Sequence, residues 1–170
     1  VGGDWANGTL TNKSGVFRST DDGTTWTDIT PANFSANYGR VLIDISESNE
    51  KVVYFLMNKA YFEVPGITYL WKYTYVSRDG SSSGGTWQDL SSNLPSMETQ
   101  RGYCMVLAVK PDNENHVVFG GSNLWFSSDG LSTSGNSNLI GGYEALNSYG
   151  QYVNHHPDQH SATFLPSDPK

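Results

Sequence analysis

At 170 residues, the chain is long enough for one domain with a core of its own. Its 17 acidic against 10 basic residues give a formal charge of −7 with no basic cluster, which argues against nucleic acid or an anionic membrane surface as a partner. No apolar run reaches the ~18 residues of a membrane span, whereas 18 Gly, 10 Tyr and 5 Trp with only 16% charged residues suit short strands joined by tight turns.

Taken in order, residues 1–14 read as a polar loop with a short strand at the very start. Residues 15–19 and 26–29 read as the arms of a hairpin. Its tip holds Ser19, Asp21 and Gly23, with Trp26 folding back as an apolar lid. In such a tip Asp21 accepts hydrogen bonds from its own turn and Gly23 supplies a left-handed position. After a loop at 30–39, the β-branched run 41–45 predicts a strand buried on both faces, and 52–56 predicts its return across a polar turn. Residues 69–77 and 87–90 complete a four-strand unit.

The order then repeats over 104–109, 116–119 and 124–127, with the turn 110–115 matching 46–51. The turn residues Asp21, Asp79 and Asp129 recur at intervals of about 50–60 positions, the scale of repeat architectures. Residues 81–85 and 131–142 read as surface loops. Residues 162–168 parallel 107–112 and predict the first strand of a further unit. The lone Cys104 lies in the apolar run 103–109 and reads as a small core residue. The chain opens on Val1-Gly2-Gly3 and closes on Pro169-Lys170, with no initiator Met or signal peptide, which reads as a piece of a longer secreted polypeptide.

The octet Ser19-Thr20-Asp21-Asp22-Gly23-Thr24-Thr25-Trp26 resembles the Asp-box, or BNR repeat, whose pattern is Ser-x-Asp-x-Gly-x-x-Trp. A second copy, Ser77, Asp79 and Trp87, fits with three inserted residues. A third, Ser127-Ser128-Asp129-Gly130, lacks the Trp. In that family the box joins the two outer strands of a β-propeller blade, and it occurs in sialidases, xyloglucanase-type glycosidases, sortilin-like receptors and secreted bacterial proteins. The resemblance implies an all-β propeller segment of four-stranded antiparallel blades: a partial blade over 1–38, blades over 39–98 and 99–150, and a first strand over 151–170. It also implies an extracellular or cell-surface location. A propeller closes with about four to eight blades, so the ring is expected to be completed by remaining blades of a larger chain or by neighbouring copies.

His156-Pro157-Asp158-Gln159-His160 is the most unusual local pattern. In an extended strand His156, Asp158 and His160 share one face. They are candidate ligands of a divalent metal, or a polar patch hydrogen-bonding across units, while His155 points away. The segment also resembles one in large secreted bacterial Asp-box proteins, where it leads into an innermost strand near the channel mouth. Arg101 and Tyr103 are the equivalent positions one unit earlier, and Asn37 and Gly39 one unit before that, so these residues are expected to gather on one binding face.

A glycosidase requires two carboxylates across a cleft, for which Asp158 and Asp44 are the candidates; Asp44 reads equally as a hydrogen-bonded core residue. Sialidase chemistry requires three substrate-holding arginines, and only Arg18, Arg40, Arg78 and Arg101 occur, without an Arg-Ile-Pro segment. The aromatic residues Tyr61, Phe62, Tyr69, Trp71, Tyr73 and Tyr75 suit either a sugar platform or a packing face. The expected role is a non-catalytic scaffold for a glycan or protein ligand. A glycoside hydrolase fragment and a structural subunit of an extracellular polymer are the alternatives.

Overall fold

The computed structural model describes residues 5–6, 9–10, 15–34, 38–59, 67–76, 84–143 and 155–165. Among them the fold is all-β, with one-turn 3₁₀ helices at Ser91–Asn93 and Gln100–Gly102. None of its helices is long and apolar enough to cross a membrane. Strands β1 (Trp5–Ala6) and β2 (Thr9–Leu10) pair with each other. Strands β3 (Phe17–Arg18) and β4 (Thr27–Asp28) form the first hairpin. A four-stranded antiparallel sheet follows, built in chain order from β5 (Tyr38–Ile45), β6 (Val52–Lys59), β7 (Thr68–Tyr75) and β8 (Gly85–Asp89). The last sheet repeats that order with β9 (Val106–Val109), β10 (Val117–Gly120), β11 (Leu124–Ser127) and β12 (Ser137–Gly141).

Side-chain alternation along β6 holds the layers together. Val52, Tyr54 and Leu56 point one way and join Leu70 and Leu90 in a core shared with Met105, Val109, Val117, Phe119, Trp125 and Leu131 of the last sheet. The intervening Phe55 and Met57 point the other way and pack with Trp71, Tyr73 and with Val16 and Ile29 of the first hairpin. Each such side chain removed from water contributes roughly 1.5–3 kcal/mol. Polar ties fix the spacing: the Tyr54 hydroxyl donates to the Glu114 carbonyl at 3.0 Å, and the Trp87 indole donates to the Ile29 carbonyl at 2.7 Å. The aromatic row thus serves as a packing face. Trp71 and Tyr73 are buried, Arg18 donates to the Tyr73 hydroxyl at 2.6 Å, and the Arg18 guanidinium lies 4.8 Å from the centre of the Tyr75 ring. Tyr61 and Phe62 lie outside the described residues.

Two of the Ser-Asp turns share one hydrogen-bond scheme. Ser19 Oγ donates to Asp21 Oδ1 at 2.8 Å and accepts from the Gly23 amide at 2.8 Å, while Asp21 accepts from the amide and hydroxyl of Thr25. Ser127 Oγ likewise donates to Asp129 at 2.8 Å and accepts from the Leu131 amide at 2.9 Å. Trp26 does fold back, its indole donating to the Gly23 carbonyl at 3.0 Å, yet it remains 62% exposed. The second turn, with Ser77 and Asp79, lies outside the described residues.

In the third turn Leu131 stands where Gly23 stands in the first, with φ 58° against 87°. A left-handed leucine costs roughly 1–2 kcal/mol, which the complete burial of its side chain in the inter-sheet core offsets.

Three expectations are corrected. Residues 131–142 were expected to be loop, but they contain β12, whose alternate burial pairs it with β11. The expected strand at 162–168 is described only over 162–165, where no strand forms; upstream, the Asp158 and Gln159 amides donate to the carbonyls of Ser122 and Gly121 in the β10–β11 turn. Strand β5 is not buried on both faces, for Ile43 and Ile45 are 50% and 53% exposed.

Two outcomes follow from the turns. Leu131→Gly relieves the backbone strain but empties a core position, so denaturant unfolding should show a net loss of about 1–3 kcal/mol. Burial pushes the Asp129 carboxyl up, but hydrogen bonds from Asn136, Ser127, Thr133 and Ser132 outweigh it and hold the group well below its ordinary 3.8. A depressed folded-state value stabilises above the unfolded value and is lost as pH falls through the folded one. Stability measured from pH 5 down to pH 2 should therefore decline, and less steeply in Asp129→Asn.

Candidate functional site

The loop between β8 and β9 is tied down from beneath. Thr99 is fully buried; its hydroxyl accepts from Asn58 Nδ2 at 3.1 Å and its carbonyl accepts from the amides of Gly102 and Cys104. Gln100, Arg101 and Gly102 then run through three successive left-handed conformations, with φ of 47°, 61° and 86°. Gly102 is required there: a Cβ would meet Arg40 Cβ and Asn58 Oδ1, each at 3.2 Å. Arg40, near the start of β5, donates from Nη1 to the carbonyls of Gly102 and Tyr103 at 3.1 and 3.0 Å. Two strained non-glycine residues persist because the surrounding bonds over-determine the loop.

Residues 155–160 lie against this loop. The Asp158 and Gln159 amides donate to the Ser122 and Gly121 carbonyls at 3.1 and 2.8 Å, and the Ser122 amide donates to the Glu98 carbonyl at 2.8 Å. Gln100 Nε2 donates to Asp158 Oδ1 at 2.6 Å, and the Tyr103 and His160 rings meet edge to face with centroids 4.8 Å apart. His155 packs against Gly141, where any Cβ would collide with its ring, while His156 is exposed and its Nδ1 lies 2.7 Å from the Pro157 carbonyl. Beneath, burial pushes the Cys104 thiol up, against a contact of 3.7 Å to Ser122 Oγ. Cys104 is a fully buried core group, as expected.

The structure therefore gathers Asp158, Tyr103 and His160 and places exposed Arg101 on the same loop. Arg40 carries the start of β5 to this loop, where Gly39 is exposed; Asn37 lies outside the described residues. Gln100 was missed, since no spacing rule marks a single glutamine. The expected common face of His156, Asp158 and His160 does not form as a strand face, because Asp158 takes φ 69° and breaks the two-residue alternation. Among the described residues no group of three His, Cys, Asp or Glu is placed to hold a metal ion, so the divalent-metal expectation finds no ligand set.

Asp44 belongs elsewhere. Its Oδ2 accepts from the Val109 amide at 2.5 Å, tying β5 to β9, and burial raises its carboxyl above the ordinary 3.8. Val109 closes β9 and Cys104, beside Ser122, precedes it. Asp44 bonds to the Val109 amide, whereas Asp158 bonds to Gln100 and, through its amide, to the Ser122 carbonyl. The two carboxylates brace backbone and side chain.

Comparison with protein-family models, with curated proteins and with solved structures finds no match to this chain.

For Asp44, a raised folded-state value means that stability falls as pH rises between 3.8 and that value. Asp44→Asn keeps an acceptor for the Val109 amide without the charge, so urea unfolding at pH 7 should find it at least as stable as the parent. Asp44→Ala strands that amide and should lose about 1–3 kcal/mol.

Proposed function

We propose that this chain is a segment of an extracellular or cell-surface Asp-box β-propeller, a non-catalytic scaffold that binds a glycan or protein ligand. What supports the fold reading is the repeated strand order of the two four-stranded sheets, their face-to-face packing, and the shared hydrogen-bond scheme of the turns at Ser19 and Ser127. Under it, the hairpin β3–β4 is the outer half of one blade, and β5–β8 and β9–β12 are whole blades.

One observation carries the binding role. Tyr103 is 65% exposed on a loop that Arg40 and Asp158 hold from both sides, with His160 against its ring and Arg101 two residues before it. An aromatic face held rigid, with polar groups at its edge, stacks on a sugar ring or a protein side chain at little ordering cost. Asp44 and Asp158 are engaged in structural hydrogen bonds, which favours binding over hydrolysis.

An oligosaccharide array, with extracellular matrix proteins spotted beside it, tests the reading. The parent should retain a defined subset of spots, and Tyr103→Ala and Arg101→Ala should weaken that retention about tenfold or more at unchanged melting temperature. Retention that both variants preserve places the ligand elsewhere and defeats the assignment.

A further inference from the structure

Lys72 of β7 stands directly across from Tyr54 of β6, so the two side chains leave the same face of the middle sheet, the one that meets the last sheet. The Lys72 amine is half-buried there, 5.4 Å from the centre of the Tyr54 ring, and donates to Asn115 Oδ1 at 3.4 Å. Burial holds this ammonium below its ordinary 10.5, against the opposing pull of the Glu114 carboxylate. A lysine desolvated against apolar and aromatic neighbours presents a larger share of neutral amine than an exposed one, and the neutral amine is the nucleophile.

The carboxamide facing it is held from several sides. Asn115 ends the turn between β9 and β10, where its amide donates to Asn113 Oδ1 at 3.0 Å and its carbonyl accepts from the Gly130 amide at 2.6 Å. The Tyr54 hydroxyl donates to the carbonyl of Glu114, the residue before it. Gly130 closes the remaining side with φ 65°: a Cβ there would meet the Tyr54 hydroxyl oxygen at 2.5 Å and Asn115 Oδ1 at 3.2 Å. Middle sheet, β9–β10 turn and third Ser-Asp turn thus hold one amine beside one carboxamide, 43 positions apart in the chain. Asn115 Cγ lies one bond beyond the oxygen that Lys72 already touches, and a small turn of the flexible lysine stem brings it within the ~3–3.5 Å of a near-attack arrangement.

We infer that Lys72 and Asn115 are the site of an intramolecular isopeptide bond that joins the middle sheet covalently to the last sheet. The lone pair of the neutral Lys72 Nζ adds to Asn115 Cγ and forms the new C–N bond. One proton passes from Nζ to the Glu114 carboxylate, the charge that acts on Lys72, and from there to Asn115 Nδ2. The Cγ–Nδ2 bond then breaks, its electron pair leaving with the nitrogen as ammonia and a secondary amide remaining. No oxidant, metal or second substrate takes part. The inference is independent of the ligand face at Tyr103, since none of its residues belongs to that face.

The test is the intact mass of the purified chain, followed over days at about pH 9, where more of the amine is neutral. A loss of about 17 Da, the mass of one ammonia, is expected, and fragmentation of the proteolysed parent should find residues 72 and 115 in one linked pair, a readout that needs no variant. Lys72→Arg, which keeps the charge, and Asn115→Ala should both retain the full mass. Glu114→Gln should form the link about tenfold or more slowly. A parent that keeps its full mass overturns the inference. So does a loss that survives Lys72→Arg, which belongs to ring closure of an asparagine on its own backbone, and so does a link that Glu114→Gln makes at the parent's rate, which removes the proton carrier from the step.

Discussion

Strand β6 cannot shield its own side chains. Val52, Tyr54 and Leu56 leave one side of the sheet, Phe55 and Met57 leave the other, and every one of these five is buried. A strand apolar on both faces is stable only between two layers, because a sheet covers nothing of itself. That constraint fixes the stacking of hairpin, middle sheet and last sheet. It also explains why the aromatic row of β7 is occupied by packing against Val16, Ile29 and Trp87.

The tight turns serve this stack. A serine hydroxyl and an aspartate carboxylate close each described tip with local hydrogen bonds, leaving the tip independent of its surroundings. The third turn departs from that independence at Leu131, whose side chain enters the inter-sheet core while its backbone keeps the left-handed geometry of a glycine. Local strain and tertiary burial oppose each other at one residue, and burial wins by a small margin.

Where the β8–β9 loop meets residues 155–160, the same logic holds a surface in place. Buried Thr99, the Arg40 side chain and the carbonyls of Gly121 and Ser122 hold two irregular segments together without a ladder between them. Tyr103 and His160 are displayed from this frame, so an exposed aromatic surface coexists with a backbone that has few alternatives. Asp44 does the corresponding work between β5 and β9.

The amino-acid sequence by itself determined the local structure: the hairpin tips from Ser-x-Asp spacing, strands β5 to β11 from apolar runs between turn residues, and the burial of Cys104. These depend on interactions within a few residues. It could not mark β12, whose mixed polar composition becomes a strand only beside β11, nor the docking of Asp158 and Gln159 on the β10–β11 turn. The meeting of Gln100 with Asp158, 58 positions apart in the chain, and of Asp44 with Val109, 65 apart, likewise required the sheets to be stacked. Hydrogen bonds of that separation have no local signature, because loop closure and packing choose the partners after the strands exist. The half-exposure of Ile43 and Ile45 has the same origin: their apolar, β-branched run predicts burial, and only the tertiary structure decides how much of each side chain stays open to solvent.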